Sequence, residues 1–220
     1  MKSSARFRDR VEAGRALAEK LLRYAGQPGV LVLGLPRGGV PVAAEVAQCM
    51  GAPLDVFIVR KLGLPGQEEL AMGAIATGGI RVLNPGVVTS MRIPAEVIDA
   101  VAADELRELA RRELAYRDHL PPPDVRGRTI IVVDDGIATG STMLAAVEAL
   151  RQLQAGRIVV AVPTIAAKTC VEIERWVDEI VAVMVPESFS GVGEWYDDFA
   201  QTTDDEVRLL LAEAWDRGSA

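Results

Sequence analysis

Histidine occurs once in this chain, at His119, and cysteine twice, at Cys49 and Cys170. One histidine excludes zinc sites built from several imidazoles, and two cysteines cannot supply a disulfide framework or a thiolate zinc site. His119 stands directly before Leu120 and three prolines, at the expected end of a polar helix. That place argues against a serine or cysteine triad. Both cysteines sit in apolar helical contexts, which predicts small core residues, and a cytoplasmic compartment fits. Long hydrophobic runs are also missing. The longest apolar stretch, Ile158 to Ala167, is about half of what a membrane-spanning helix needs. The first ten residues, Met-Lys-Ser-Ser-Ala-Arg-Phe-Arg-Asp-Arg, contain no apolar signal region, so no secretion is expected. A basic excess is absent too: 24 Lys and Arg stand against 31 Asp and Glu, a formal charge of -7. That balance opposes packaging of long nucleic acid.

Apolar material is plentiful. Half of the 220 residues are hydrophobic and a quarter are charged, enough for one large domain over 1–220 and too much for intrinsic disorder. The charge is uneven. Residues 1–23 hold 7 basic and 3 acidic groups, whereas residues 172–217 hold 3 and 13. The acidic C-terminal segment reads as a solvated face that aids solubility.

Periodicity predicts alternating helices and strands. Residues 8–25 form a basic amphipathic helix with Val11, Ala18 and Leu22 at helical spacing. Val30–Leu35 reads as a buried strand, Gly38–Met50 as a helix and Leu54–Val59 as a second strand. Residues 60–80 are Gly-rich and polar, with a strand expected around Ala71–Ala76 and a return at Arg81–Leu83. Pro94 opens a long helix with Ile98, Ala102, Leu106 and Leu109 as its buried stripe, and the proline run at 121–123 ends it. Thr129–Val133 is β-branched throughout. A helix over 141–154, with Met143, Val147 and Leu150 on one face, a strand Arg157–Val162, a helix over 166–177 and a strand Glu179–Val185 complete the pattern. Continuous apolar strands between helices imply an α/β fold, a parallel-sheet core covered on both faces. Ligands of such sheets bind beyond the C-terminal strand ends.

One of those ends carries a dense motif. After Val133 come Asp134, Asp135, Gly136, Ile137, Ala138, Thr139, Gly140, Ser141 and Thr142, and then a helix. Gly136 and Gly140 permit a sharp turn and close approach of a ligand. The helix N-terminus presents free amides to a phosphate, and three hydroxyls can add to them. Two carboxylates one step upstream suit sugar hydroxyls or a hydrated divalent cation. The expected ligand is a sugar phosphate. No P-loop or dinucleotide fingerprint is present. Acid pairs also follow a strand in phosphoacceptor receiver domains, but there near the start of the fold. Asp and Thr also cap helices; two acids with Gly, Thr-Gly and Ser-Thr are more specific than a cap.

Val132–Thr142 resembles the phosphoribosyl pyrophosphate (PRPP) motif of type I phosphoribosyltransferases. Gly34-Leu35-Pro36-Arg37-Gly38-Gly39-Val40-Pro41 follows the first strand, where that family places its pyrophosphate loop, and Arg60-Lys61 follows the second. Gly63–Gly79 occupies the place of the flexible catalytic loop. Phe7–Arg10 and Val192–Phe199 are similar to a bacterial branch of the family. The resemblance implies a core over about 28–165, a flexible β-hairpin loop, and a small hood over about 163–200 with the N-terminal helix.

By that resemblance Asp134 and Asp135 would hold the ribose hydroxyls, directly or through magnesium-bound water, and favour the charge that grows on the ring as pyrophosphate leaves. Gly136, Ile137, Ala138, Thr139, Gly140, Ser141 and Thr142 would bind the 5′-phosphate. Arg37, Gly38 and Gly39 would meet the pyrophosphate, with a cis peptide expected beside Arg37, and Arg60 and Lys61 would add charge. Mg2+ is the implied cofactor. PRPP and a nucleobase-like acceptor are the implied ligands; a homodimer is compatible, and neither long nucleic acid nor membrane is expected. Trp195, Tyr196 and Phe189 could stack on a base or could form a cluster that anchors the tail. The acidic segment is expected to lie away from the phosphate loops. The implied activity is transfer of ribose 5-phosphate to a nitrogenous base; a non-catalytic PRPP or nucleotide sensor and hydrolysis of a ribose phosphate are the alternatives.

Overall fold

The computed structural model describes residues 6–118 and 120–218. His119 lies outside the described residues. In chain order come α1 (Arg10–Leu21), β1 (Val30–Gly34), α2 (Gly39–Met50), β2 (Leu54–Val56), β3 (Val59–Leu64), β4 (Gln67–Ala76), β5 (Ile80–Leu83), α3 (Pro85–Ser90) and α4 (Ala95–Arg117). The second half holds β6 (Thr129–Val133), α5 (Ser141–Gln152), β7 (Arg157–Thr164), α6 (Ala167–Ile173), β8 (Glu179–Met184) and α7 (Asp204–Gly218).

The β-branched run of β6 forms the middle of a five-stranded parallel sheet, ordered β2-β1-β6-β7-β8. Successive side chains point to opposite faces of a strand. Ile131 and Val133 therefore join a core with Leu17, Val46 and Leu211 of α1, α2 and α7. Ile130 and Val132 join a second core with Met143, Val147 and Leu150 of α5. Burial on both faces explains why these strands read as unbroken apolar runs. Gly34 pairs with Val133, so the C-terminal ends of β1 and β6 stand level, while β7 runs three residues further, from Ala161 opposite Val133 to Thr164. Among the described residues no helix is long and apolar enough to cross a membrane.

Several expectations are corrected. Leu54–Val59 is not one strand: β2 stays in the parallel sheet, while β3 starts a separate antiparallel sheet ordered β3-β4-β5. Residues 63–79 are consequently mostly paired strand, turning at Pro65 and Gly66. The tip half of β4 is solvent-exposed, so it lacks the alternation that marks a strand with one buried face. Leu22 and Leu106 are exposed instead of buried. The buried face of α1 is Ala13, Gly14, Leu17, Ala18 and Leu21, so the stripe runs through Leu21 and leaves its neighbour Leu22 outside. Cys49 is exposed and Cys170 half-buried, both as free thiols. α2 is apolar on most of its surface, so composition does not tell which face turns inward. Two helices had no counterpart in the sequence reading. α3 is capped by Asn84, whose side chain accepts from Val87 N. α7 opens with a reciprocal capping box: Glu206 N donates to Thr203 Oγ1 at 3.2 Å, and Thr203 N to Glu206 Oε2 at 2.6 Å. It buries Val207 and Leu211.

Candidate active site

Strand register brings two loops to one place. Leu35 N donates to Val133 O at 2.8 Å, carrying the β1 loop alongside the end of β6. The Pro36–Arg37 peptide is cis. A Cβ built on Gly38 would overlap Asp135 Oδ2, and one on Gly39 would stand 2.7 Å from Val133 O. Only glycine admits the first loop this close to the acid pair.

Asp134 Oδ1 accepts from Asp135 N at 2.9 Å. Burial, with the Asp135 charge adding to it, pushes the Asp134 carboxyl well above the ordinary carboxylate range. Burial also raises Asp135, and the Arg10 guanidinium opposes that rise. Arg10 lies 2.9 Å from Asp135 Oδ2.

The turn after the acids is pinned from below. Ile137 N donates to Thr164 O at 2.9 Å, Ala166 N to Ile137 O at 3.1 Å, and Thr169 Oγ1 to Ala138 O at 2.5 Å. Ile137 is buried. With its amide engaged and its side chain in the core, Ile137 shapes the loop. Gly136 is packed against Val192 and Thr164. Gly140 sits at φ 76° before α5, and no side chain caps the helix. The first-turn amides of α5 therefore face outward beside the exposed Thr139, Ser141 and Thr142.

The cations divide differently from expectation. Arg37 follows the cis bond and lies 3.8 Å from Asp204 at the start of α7. The acidic tail thus reaches the first loop instead of lying away from it. Arg60 is inside β3, and its Nε donates to Glu105 of α4 at 2.7 Å. It lines a cavity of about 490 Å³ with Val101 and Glu105, apart from residues 34–41 and 134–140. Lys61 is 3.5 Å from Glu69 and shares a cavity of about 340 Å³ with Ser141 and Thr142.

Tyr196 is buried against Phe7 and Phe199, and its hydroxyl donates to Asp135 O at 2.5 Å. Burial raises this phenol strongly. Its ring is enclosed by the cluster, the tail-anchoring alternative, with no open face for a base. Trp195 is half-buried and stacks on Phe189 at 6.0 Å. Trp195 Nε1 and Thr164 Oγ1 are buried without a hydrogen-bond partner among the described residues. Sequence reasoning assigned no role to Arg10, Tyr116 or Asp204. Arg10 was visible only as part of the Phe7–Arg10 segment, because its partner is 125 positions away.

Comparison with known proteins agrees with this geometry. Residues 6–193 match the family model described as the phosphoribosyl transferase domain. A Mycobacterium tuberculosis protein provisionally named a phosphoribosyl transferase is 47% identical over 211 residues, which are 94% of this chain and 47% of that protein. The chain spans about half the length of the curated relatives it matches. A ribose-phosphate pyrophosphokinase of Thermococcus kodakarensis is 32% identical over 59% of this chain and 45% of its own length. A crystal structure of a Thermus thermophilus protein superimposes with a TM-score of 0.84 at 42% identity, over 94% of this chain and 98% of that one. The sheet, its two loops and the family match lead to one conclusion: the chain belongs to the phosphoribosyl transferase domain family.

Proposed function

We propose that this chain transfers the ribose 5-phosphate of PRPP to a nitrogenous base and releases pyrophosphate. The observation that carries the reading is the contact of Gly38 with Asp135, one step before the uncapped N-terminus of α5. A ligand lying across that junction would meet a glycine loop with a cation, then two carboxylates, then a phosphate-binding helix start. PRPP has pyrophosphate, ribose and 5′-phosphate in the same order.

Each chain group then has a task. Gly38 and Arg37 would hold the pyrophosphate through an amide and a guanidinium, and Gly39, whose N–H donates to Leu35 O at 3.0 Å, would let the loop come close. Ala138, Thr139, Gly140, Ser141 and Thr142 would hold the 5′-phosphate. Asp134 and Asp135 would accept hydrogen bonds from the ribose hydroxyls and stabilise positive charge on the ring as the C1–oxygen bond breaks and the acceptor nitrogen bonds to C1. Lys61, beside Ser141, would add charge at the 5′-phosphate end. The half-buried Trp195 ring is the hood surface on offer to an acceptor.

Magnesium fits this donor set. The described residues contain no cluster of three or more His, Cys, Asp or Glu able to cage a metal, but Mg2+ commonly takes one or two carboxylates and completes its shell with substrate phosphates and water. Asp134 and Asp135 would hold it. When bound, it would neutralise the leaving pyrophosphate. A cytoplasmic place follows from the intracellular nature of such a substrate and from two free thiols.

The test is a panel of nucleobases with PRPP and magnesium, reading released pyrophosphate. Turnover with one base, lost in Asp134→Asn with Asp135→Asn, is the expected result. Tight PRPP binding without turnover on any base identifies a sensor, and release without a base identifies a hydrolase.

A further inference from the structure

The N-terminal segment and the hood meet over the acid pair. Phe7 and Tyr196 form a parallel bridge. Phe7 N donates to Trp195 O at 2.9 Å, Asp197 N to Phe7 O at 2.8 Å, and Asp198 N to Arg8 O at 2.9 Å. This strap delivers Arg10, the first residue of α1, to the end of β6.

Arg10 is fully engaged there. Its Nε and one terminal nitrogen both stand 2.9 Å from Asp135 Oδ2. The other terminal nitrogen donates to Ala200 O at 2.7 Å. The guanidinium lies 4.1 Å from the centroid of the Phe199 ring, a cation–π contact. Arg10 and Asp135 side chains are only 12% and 13% exposed. Gly38 covers the same oxygen from the other side. Asp135 Oδ2 is thereby enclosed between a guanidinium and the loop backbone, and the carboxyl is held in one orientation beside Asp134.

We propose that Arg10 is a positioning residue for Asp135: it takes one carboxylate oxygen and so fixes the orientation in which the carboxyl meets the ribose of PRPP. The proposal rests on the PRPP reading above. Two neighbouring carboxylates repel each other, and a guanidinium committed to one of them fixes which side chain is held and where. Lysine could supply the charge but not the planar fork or the stacked face. Tyr196, donating to the carbonyl of the same residue, keeps the strap in register with the acid pair. Pyrophosphate, which would bind at Arg37, Gly38 and Gly39, does not need the Asp135 carboxylate. PRPP does.

That difference supplies the test. The full chain, with magnesium, is titrated calorimetrically with PRPP and separately with inorganic pyrophosphate. Arg10→Met is expected to weaken PRPP binding about tenfold, as for loss of a charge-assisted hydrogen bond, with pyrophosphate affinity kept within about twofold. Arg10→Lys should restore part of the PRPP affinity. In an Asp135→Asn background, Arg10→Met should add nothing further. Equal loss of both ligands, unchanged PRPP affinity, or additive effects of the two substitutions overturns the proposal. If Arg10→Met does not fold, Arg10→Lys carries the test: the ratio of the two affinities must move toward pyrophosphate, and an unchanged ratio overturns it. A wild-type chain that binds pyrophosphate but not PRPP refutes the underlying reading of the site, and this proposal with it.

Discussion

The hydroxyl of Tyr116, near the end of α4, donates to Asp204 Oδ1 at 2.6 Å. The same carboxylate oxygen lies 3.8 Å from Arg37. One hydrogen bond therefore holds the start of α7 against the loop with the cis peptide, and an acid stands where an anionic ligand of Arg37 would compete with it.

Replacement of that acid should release the cation. Asp204→Ala is expected to tighten pyrophosphate binding about 2- to 5-fold, the scale of a partly exposed ion pair. Calorimetric titration with pyrophosphate and magnesium checks this. Weaker binding would mean that Asp204 orders the loop instead of competing for it.

The Tyr116 phenol is pushed up to about 12, first by burial and then by its bond to Asp204. A raised folded value means that its contribution to stability is complete below the ordinary tyrosine value of about 10. That contribution is lost as pH rises through about 12. Tyr196 is raised too, so ultraviolet titration of the phenolates should show more than one late component, and Tyr116→Phe should remove the one at about 12. The same substitution should lower unfolding free energy at neutral pH by about 1 kcal/mol. A lost component that titrates near the ordinary tyrosine value of about 10 would contradict the hydrogen bond.

Gly38 should tolerate no side chain. A Cβ there would overlap Asp135 Oδ2, so Gly38→Ala must displace either the loop or the carboxylate from Arg10. Overpacking of this kind costs about 1–3 kcal/mol. The expected outcome is more than tenfold weaker PRPP binding, since about 1.4 kcal/mol is a factor of ten. An alanine variant with wild-type affinity would show that the two loops do not act as one site.

The legible parts of the chain are those where local chemistry and global fold agree. β6 and the turn after it could be read because a β-branched run, two acids and an uncapped helix start are adjacent in sequence. The Gly34–Gly39 loop could be read because it follows an apolar strand. Arg10, Tyr116 and Asp204 could not, since each acts through a partner more than 80 positions away. The inner half of β4, Ala71–Ala76, could be read as a strand, but its outer half could not, because Gln67, Glu68 and Glu69 are exposed on both faces. α7 read as an acidic tail because its first turn is Asp204-Asp205-Glu206, although such acids favour a helix N-terminus. Arg60 was placed by its position after a strand, and the split between β2 and β3 moved it to another sheet.

That displacement has its own consequence. Arg60 is committed to Glu105 and faces α4, so Arg60→Gln should change pyrophosphate affinity by less than about twofold, the scale of a partly exposed pair. Arg37→Gln should lose about tenfold or more, as for removal of a charge-assisted hydrogen bond. Parallel calorimetric titrations separate the two. Equal losses would restore Arg60 to the pyrophosphate site and require its bond to Glu105 to break on binding.

The largest single stability effect should come from outside the site. Arg117 is 1% exposed, pairs with Asp55 at 3.0 Å and donates to Pro121 O at 2.7 Å. It ties the end of α4 to edge strand β2. Burial pushes the Asp55 carboxyl above its ordinary range, Arg117 pulls it back, and the Glu113 charge adds to the rise. Arg117→Met leaves a buried carboxylate without its cation, a change that costs about 3–5 kcal/mol. Without Arg117 the folded-state value of Asp55 lies higher still, and a raised acid stabilises below its unfolded value and loses that contribution as pH rises through the folded one. The variant should therefore be closer to wild type near pH 5 than near pH 8, as measured by urea unfolding at both. A deficit that is constant across that range would mean that Arg117 stabilises by packing and its bond to Pro121 rather than by neutralising Asp55.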